Sequence, residues 1–178
     1  ELMNELNSPH YGNYYLFFTN ILNENSLKEL AMSDHSSKVV AVHEVFIDVY
    51  ALNKKIFSLN MRRTLSAASQ WKNDEAKMRR MADGLFSLFC AFKLHCNIRY
   101  DVRSKECQQL AERMRSKINE HTTYVQSPER ALLLILDRRL DPVTPMIHGW
   151  SYLELLHDNL GIHNNIIAVQ EGAQVKQY

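Results

Sequence analysis

The sequence predicts an α/β fold in which a parallel sheet is covered by helices. Two observations carry this expectation. The second half of the 178-residue chain alternates between patterns of helical and extended period, in the order helix, strand, helix, strand, helix. Within it, LLLIL (Leu132 to Leu136) is a run of five large aliphatics. It is too short for an independent helix and fits a strand buried on both faces, as in a parallel sheet. A strand–helix–strand segment precedes this half.

The elements follow in chain order. YYLFFTNIL (Tyr14 to Leu22) is aromatic and β-branched, as a buried strand requires. Ser26 and Glu29 have capping-box spacing, which predicts a short helix from Leu27. VVAVHEVFIDVYAL (Val39 to Leu52) is again strand-like, with Val40, Val42 and Glu44 on one face of a regular pleat. Its length exceeds a usual strand and predicts a bend or domain crossing near Asp48. IFSLNM is a further extended piece, and the polar, small residues from Arg62 to Asp74 read as a mobile loop.

Met78, Met81, Leu85, Leu88, Phe89 and Phe92 recur at helical spacing and predict a buried helix from Glu75 to Leu94. NIRY is a short strand. Ser104 can cap a second helix with the stripe Cys107, Leu110, Ala111, Met114 and Ile118. A loop, HTTYVQSPER, leads into the aliphatic strand. Thr144 with Pro145 then opens a helix lined by Met146, Trp150, Leu153 and Leu160, which Gly161 ends.

Composition narrows the function classes. Lys plus Arg is 21 against Asp plus Glu 20, so no net field draws the chain to nucleic acid or anionic lipid. The cysteines Cys90, Cys96 and Cys107 form no CxxC pair, and Cys90 and Cys107 fall on apolar helical stripes. Buried thiols in a reducing compartment are expected, and with no apolar run of membrane-spanning length or signal pattern the chain reads as cytosolic.

The charged end of LLLILDRRLDP lies where open α/β sheets place ligand crevices. One reading makes Asp137 and Asp141 the acids of a Mg²⁺-dependent phosphohydrolase. That chemistry usually wants a second acid two residues after the first, and Arg139 stands there. The preferred reading is structural: Asp137 and Asp141 pair with Arg138 or Arg139, and Pro142 stiffens the strand-to-helix loop. Five glycines in 178 residues include neither GxGxxG nor GxxxxGK, so no nucleotide cofactor is expected. The histidines lie in no HExxH or zinc spacing, so no metal ligand is assigned; His157 and His163 are read as a helix end and a following loop. No serine or cysteine sits in a nucleophile elbow, so no catalytic residue is assigned.

Several stretches together resemble the syntaxin-binding SM proteins, the Sec-one/Munc-eighteen-like family, and most of all its endosomal and trans-Golgi branch. LLLILDRRLDPVTPMIHGWSYLELLHDNLGI is similar to the signature strand, loop and helix of that family's second domain. YYLFFTNILNENSLKELA resembles the last strand and helix of its first domain. EVFIDVYALNKKIFSLN resembles the crossing between them, and ADGLFSLFCAFKLHCNIRYD the helix and strand that follow. The resemblance implies incomplete SM domains: residues 1–36 as the C-terminal end of domain 1, 37–168 as the first half of domain 2, and 169–178 as a tail toward domain 3. It implies a non-enzymatic regulator that binds a syntaxin-type Qa-SNARE and promotes vesicle docking and fusion between Golgi, endosome and vacuole. No small-molecule substrate and no membrane insertion are implied, only peripheral recruitment through the SNARE. A pocket for the syntaxin N-terminal peptide would fall on Leu27, Leu30, Ala31, Val42 and Glu44. Leucines would supply the socket, and Glu44 a partner for a basic peptide residue.

Overall fold

In the computed structural model, residues 1–61, 75–163, 165–171 and 174–177 are described, so the loop expected at 62–74 lies outside them. The chain opens with α1 (Leu2–Asn7), β1 (Tyr14–Phe18), α2 (Glu24–Ser33) and β2 (Val39–Glu44). β1 and β2 pair in parallel with α2 as the crossover, so a single strand–helix–strand unit forms. Leu6 of α1, Leu16 of β1 and Leu30 of α2 close its small core, with Val39 packed against them.

The expected break near Asp48 is present. β2 ends at Glu44, and the chain resumes as the antiparallel hairpin β3 (Tyr50–Asn53) and β4 (Ile56–Ser58). Phe46 takes a left-handed φ of 45° in the gap, a conformation that side chains with a Cβ rarely adopt. This turns the chain out of the first sheet.

The second half follows the predicted order: α3 (Glu75–Phe92), β5 (His95–Tyr100), α4 (Lys105–Glu120), β6 (Arg130–Ile135) and α5 (Tyr152–Leu160). β5 and β6 pair in parallel, Cys96 with Ala131 and Ile98 with Leu133. α4 buries all five residues of its predicted stripe, and Ser104 caps it by accepting the Cys107 N–H at 3.3 Å. On α3 the expected stripe is met in part, with Met78 and Phe89 buried and Met81 and Leu85 packed against the core. Phe86 and Ser87 are fully buried, whereas Phe92 is 54% exposed and only touches the edge of Phe57. Cys90, Cys96 and Cys107 are free and buried, and burial pushes the Cys90 thiol up to about 12.

Three expectations are corrected. Strand β6 is not buried on both faces: Ala131, Leu133 and Ile135 meet the core, while Leu132, Leu134 and Leu136 are 55–66% exposed. The sheet has two strands, and the α3–α4 core packs against the face that carries Ala131, Leu133 and Ile135. Thr144 does not cap a long helix either. Thr144–Met146 forms a single 3₁₀ turn, and α5 starts separately at Tyr152, capped by Ser151 and Glu154 in a capping box. His163, read as loop, instead lies in an antiparallel sheet of β7 (Ile162–His163), β8 (Ile166–Glu171) and β9 (Gln174–Gln177). Gly161 does end α5 in the expected place, at φ 75°.

Candidate binding groove and strand-end network

Two places gather the residues singled out in the sequence. The first is the outer side of α2 and β2. α2 starts earlier than expected because Asn23, not Ser26, is its cap: the Asn23 Oδ1 accepts the Ser26 N–H at 2.7 Å. Glu24 then stands in the first turn, where a negative charge suits the helix dipole. Leu30 points inward and is 4% exposed against Leu6 and Leu16. It therefore supports a groove from beneath and cannot line one. Leu27 is 46% exposed, and Ala31, one turn on, is exposed as well.

Register places Val42 beside Leu16 and Glu44 beside Phe18. Val42 is 36% exposed. Leu27 and Ala31 on α2 and Val42 on β2 are thus each open at the surface, while Leu16 and Leu30 are buried. Glu44 is partly buried and already engaged, accepting the Leu22 N–H at 2.8 Å and the Tyr124 hydroxyl at 2.7 Å. That second bond raises the Tyr124 phenol above its usual range.

The second place is the carboxyl end of β5 and β6. Asp137 accepts hydrogen bonds from the Arg139 guanidinium at 2.5 and 3.0 Å, from the Arg139 N–H at 3.0 Å and from the Ser104 hydroxyl at 2.7 Å. Arg139 also reaches Glu106 at 3.0 Å. Arg138 pairs with Asp141 at 3.3 Å, and Asp141 accepts the Thr144 N–H at 3.1 Å. Pro142 lies exposed in the loop between these bonds.

The electrostatics follow from these partners. The Arg139 guanidinium holds the Asp137 carboxyl well below the usual range. Thr144 lowers Asp141, and burial of Glu106 is outweighed by a backbone bond and Arg139, so it too is lowered. Both aspartates are therefore ionised and bound to their own arginines. A shared proton, or two carboxylates turned together toward Mg²⁺, is not what this geometry provides. Among the described residues no group of three His, Cys, Asp or Glu side chains could hold a metal.

Asp101, Arg103, Ser104 and Glu106 were not singled out as members of this network. Asp101 ends β5 as Asp137 follows β6, and Arg103 binds it at 2.7 Å, which lowers its carboxyl to about 2. The signal was legible: both strands run into Asp-x-Arg, at 101–103 and 137–139.

Comparisons with known proteins agree on one family. The Sec1 family model matches residues 1–177. Vacuolar protein sorting-associated protein 45 of Dictyostelium discoideum is 35% identical over 178 residues, covering 98% of this chain and 31% of its own length. The human protein of that name is 34% identical, covering 93% of this chain and 29% of itself. The chain thus spans about a third of the length of the curated relatives it matches. A solved structure of the SM protein Vps45 in complex with the Qa SNARE Tlg2 superposes with a TM-score of 0.85 at 33% identity, over 93% of this chain and 31% of that one. The Unc18–syntaxin 1 complex of Monosiga brevicollis shares the fold, with a TM-score of 0.76 at 20% identity over 99% of this chain and 34% of that one.

Proposed function

We propose, because the chain belongs to the Sec1 family, that it is part of an SM protein that binds a syntaxin-type Qa-SNARE and regulates vesicle docking and fusion. The transport step in this reading joins Golgi, endosome and vacuole. The observation that carries it is the superposition on a Vps45 solved with a Qa SNARE bound. Asp137 and Asp141 have a structural role here, which leaves the phosphohydrolase alternative without its acids, and the protein acts without turnover. No helix among the described residues is long and apolar enough to cross a membrane, and recruitment to Golgi and endosomal membranes runs through the SNARE.

Within this reading residues 1–36 close the first SM domain, 37–168 open the second, and the chain from 169 leads toward the third. The parallel pairing of β1 with β2 favours moving the first boundary to the crossing after Glu44.

The N-terminal peptide of the SNARE docks on the α2–β2 rim. Leu27, Ala31 and Val42 receive an apolar anchor, with Leu30 as the floor. Both bonds to Glu44 come from neutral donors, so its charge still attracts a basic peptide residue. Leu27→Arg sets a charge into the apolar rim and weakens a labelled Qa-SNARE N-terminal peptide about tenfold or more, an anchor contribution on the scale of a hot spot. Fluorescence anisotropy on a chain carrying the whole first domain reads this out. Equal affinity in wild type and variant would remove the groove.

A further inference from the structure

The chain has two cores joined by very little. One is the cluster of Leu6, Leu16 and Leu30; the other lies among α3, α4, β5 and β6. Among the described residues, no helix or strand of the first unit packs broadly on a helix or strand of the second. Two connecting segments make the junction instead, Thr19–Leu22 after β1 and Val45–Asp48 after β2. Each supplies one apolar plug, Ile21 and Phe46, which pack against the second core.

Each segment is also pinned by hydrogen bonds that reach across the junction. Glu44 ties the Leu22 N–H of one segment to the Tyr124 hydroxyl of the second unit. The Tyr124 ring stands edge-on to Phe46 at 5.4 Å. Asp48 accepts the Asn20 amide at 3.0 Å and the Arg80 guanidinium of α3 at 2.6 Å. Arg80 also donates to the Asp48 carbonyl at 3.2 Å, and the Asp48 N–H donates to the fully buried Ser87 at 3.2 Å. Between the two pins Phe46 sits at its left-handed φ of 45°, a conformation that persists only where the surroundings over-determine it.

We infer that Glu44 and Asp48 form a two-point latch that fixes the angle between the β1–α2–β2 unit and the α3–α4 layer. They act as positioning residues for whatever the first unit presents. The interaction is directional, because these hydrogen bonds and the ion pair specify an orientation that the apolar plugs, with the Asn20 amide on the Asp83 carbonyl at 2.8 Å and the Ser87 hydroxyl on the Thr19 carbonyl at 3.4 Å, fix less tightly. A cleft of about 860 Å³ lies across the same seam, bounded by Asn20 and Asn23 on one side and Asp83, Lys117 and His121 on the other. Opening the latch widens or narrows that cleft and turns the outer face of α2 with it. The latch holds whether or not a peptide docks on α2.

The test is a distance distribution between spin labels on exposed positions of α2 and α4, at Lys28→Cys and Arg115→Cys. The three native thiols are buried, and the chain without these two changes, which takes up no label, is the control. With the latch intact, pulsed dipolar spectroscopy gives one narrow distribution. Tyr124→Phe combined with Asp48→Ala at least doubles its width while the helical circular dichroism is kept. An unchanged width in that folded double variant overturns the latch. Should the double variant lose its helices, the single variants decide: broadening in either supports the latch, and unchanged widths in both overturn it.

Discussion

Asp101 and Asp137 stand at the ends of neighbouring parallel strands, and each turns back on an arginine two residues later. The side chain of Asp137 is 7% exposed and that of Arg139 33%, so the pair is only partly screened by water. Asp137→Ala removes the closest acceptor of Arg139 and of the Ser104 hydroxyl, leaving both to Glu106, and lowers stability at neutral pH by about 1–3 kcal/mol. The sign with pH follows from the lowered carboxyl. Its folded value lies below the unfolded one, near 3.9. Its contribution is therefore complete above about pH 4 and is lost as pH falls toward the folded value. Asp101, lowered to about 2 by Arg103, adds a dependence of the same sign over the same acid range. Thermal unfolding of wild type and Asp137→Ala then shows a gap at pH 7 that narrows below pH 4. Equal melting temperatures at pH 7 would contradict the pairing. In the sequence Asp137 stood out by its place after LLLIL and Asp101 only by the shared Asp-x-Arg spacing, since periodicity says nothing about which arginine a carboxylate selects.

The α2 cap shows how an element can be legible in kind and misplaced at its edge. Ser26 and Glu29 have the right spacing for a capping box, yet the Asn23 side chain takes the Ser26 N–H and the helix begins at Glu24. Asn23→Ala therefore lowers stability by about 1 kcal/mol, whereas Ser26→Ala is close to neutral; chemical denaturation of the two variants gives the comparison. The reverse order would restore the Ser26 cap. Elsewhere the helical periods served well: the α4 stripe is buried as expected, because those five residues meet α3 and the β5–β6 sheet. The same reasoning failed on β6 and on α5. Five consecutive aliphatics read as burial on two sides, but a strand has one buried face unless a second layer covers the other. Gly149 and Trp150 interrupt the turn after Pro145, and Ser151 restarts the helix, a competition between two caps that propensity alone does not rank.

For the molecule as a whole, the parallel strand–helix–strand order was legible because each element carries its own period. The family was legible because several motifs follow one another in the family's order. The junction between the two cores was not, since its bonds join residues 28 to 80 positions apart and no local pattern announces them. Of the residues proposed for the groove, Leu27, Ala31 and Val42 are open at the surface, while Leu30 belongs to the core and Glu44 to the junction. The proposed recognition of a Qa-SNARE is measured directly by calorimetric titration with the cytoplasmic region of a Qa-SNARE. The account predicts saturable binding that is the same with Mg²⁺ or with EDTA and that is weakened by Leu27→Arg. No binding by a folded chain carrying the complete first domain, or binding that requires Mg²⁺ and Asp137, would contradict it.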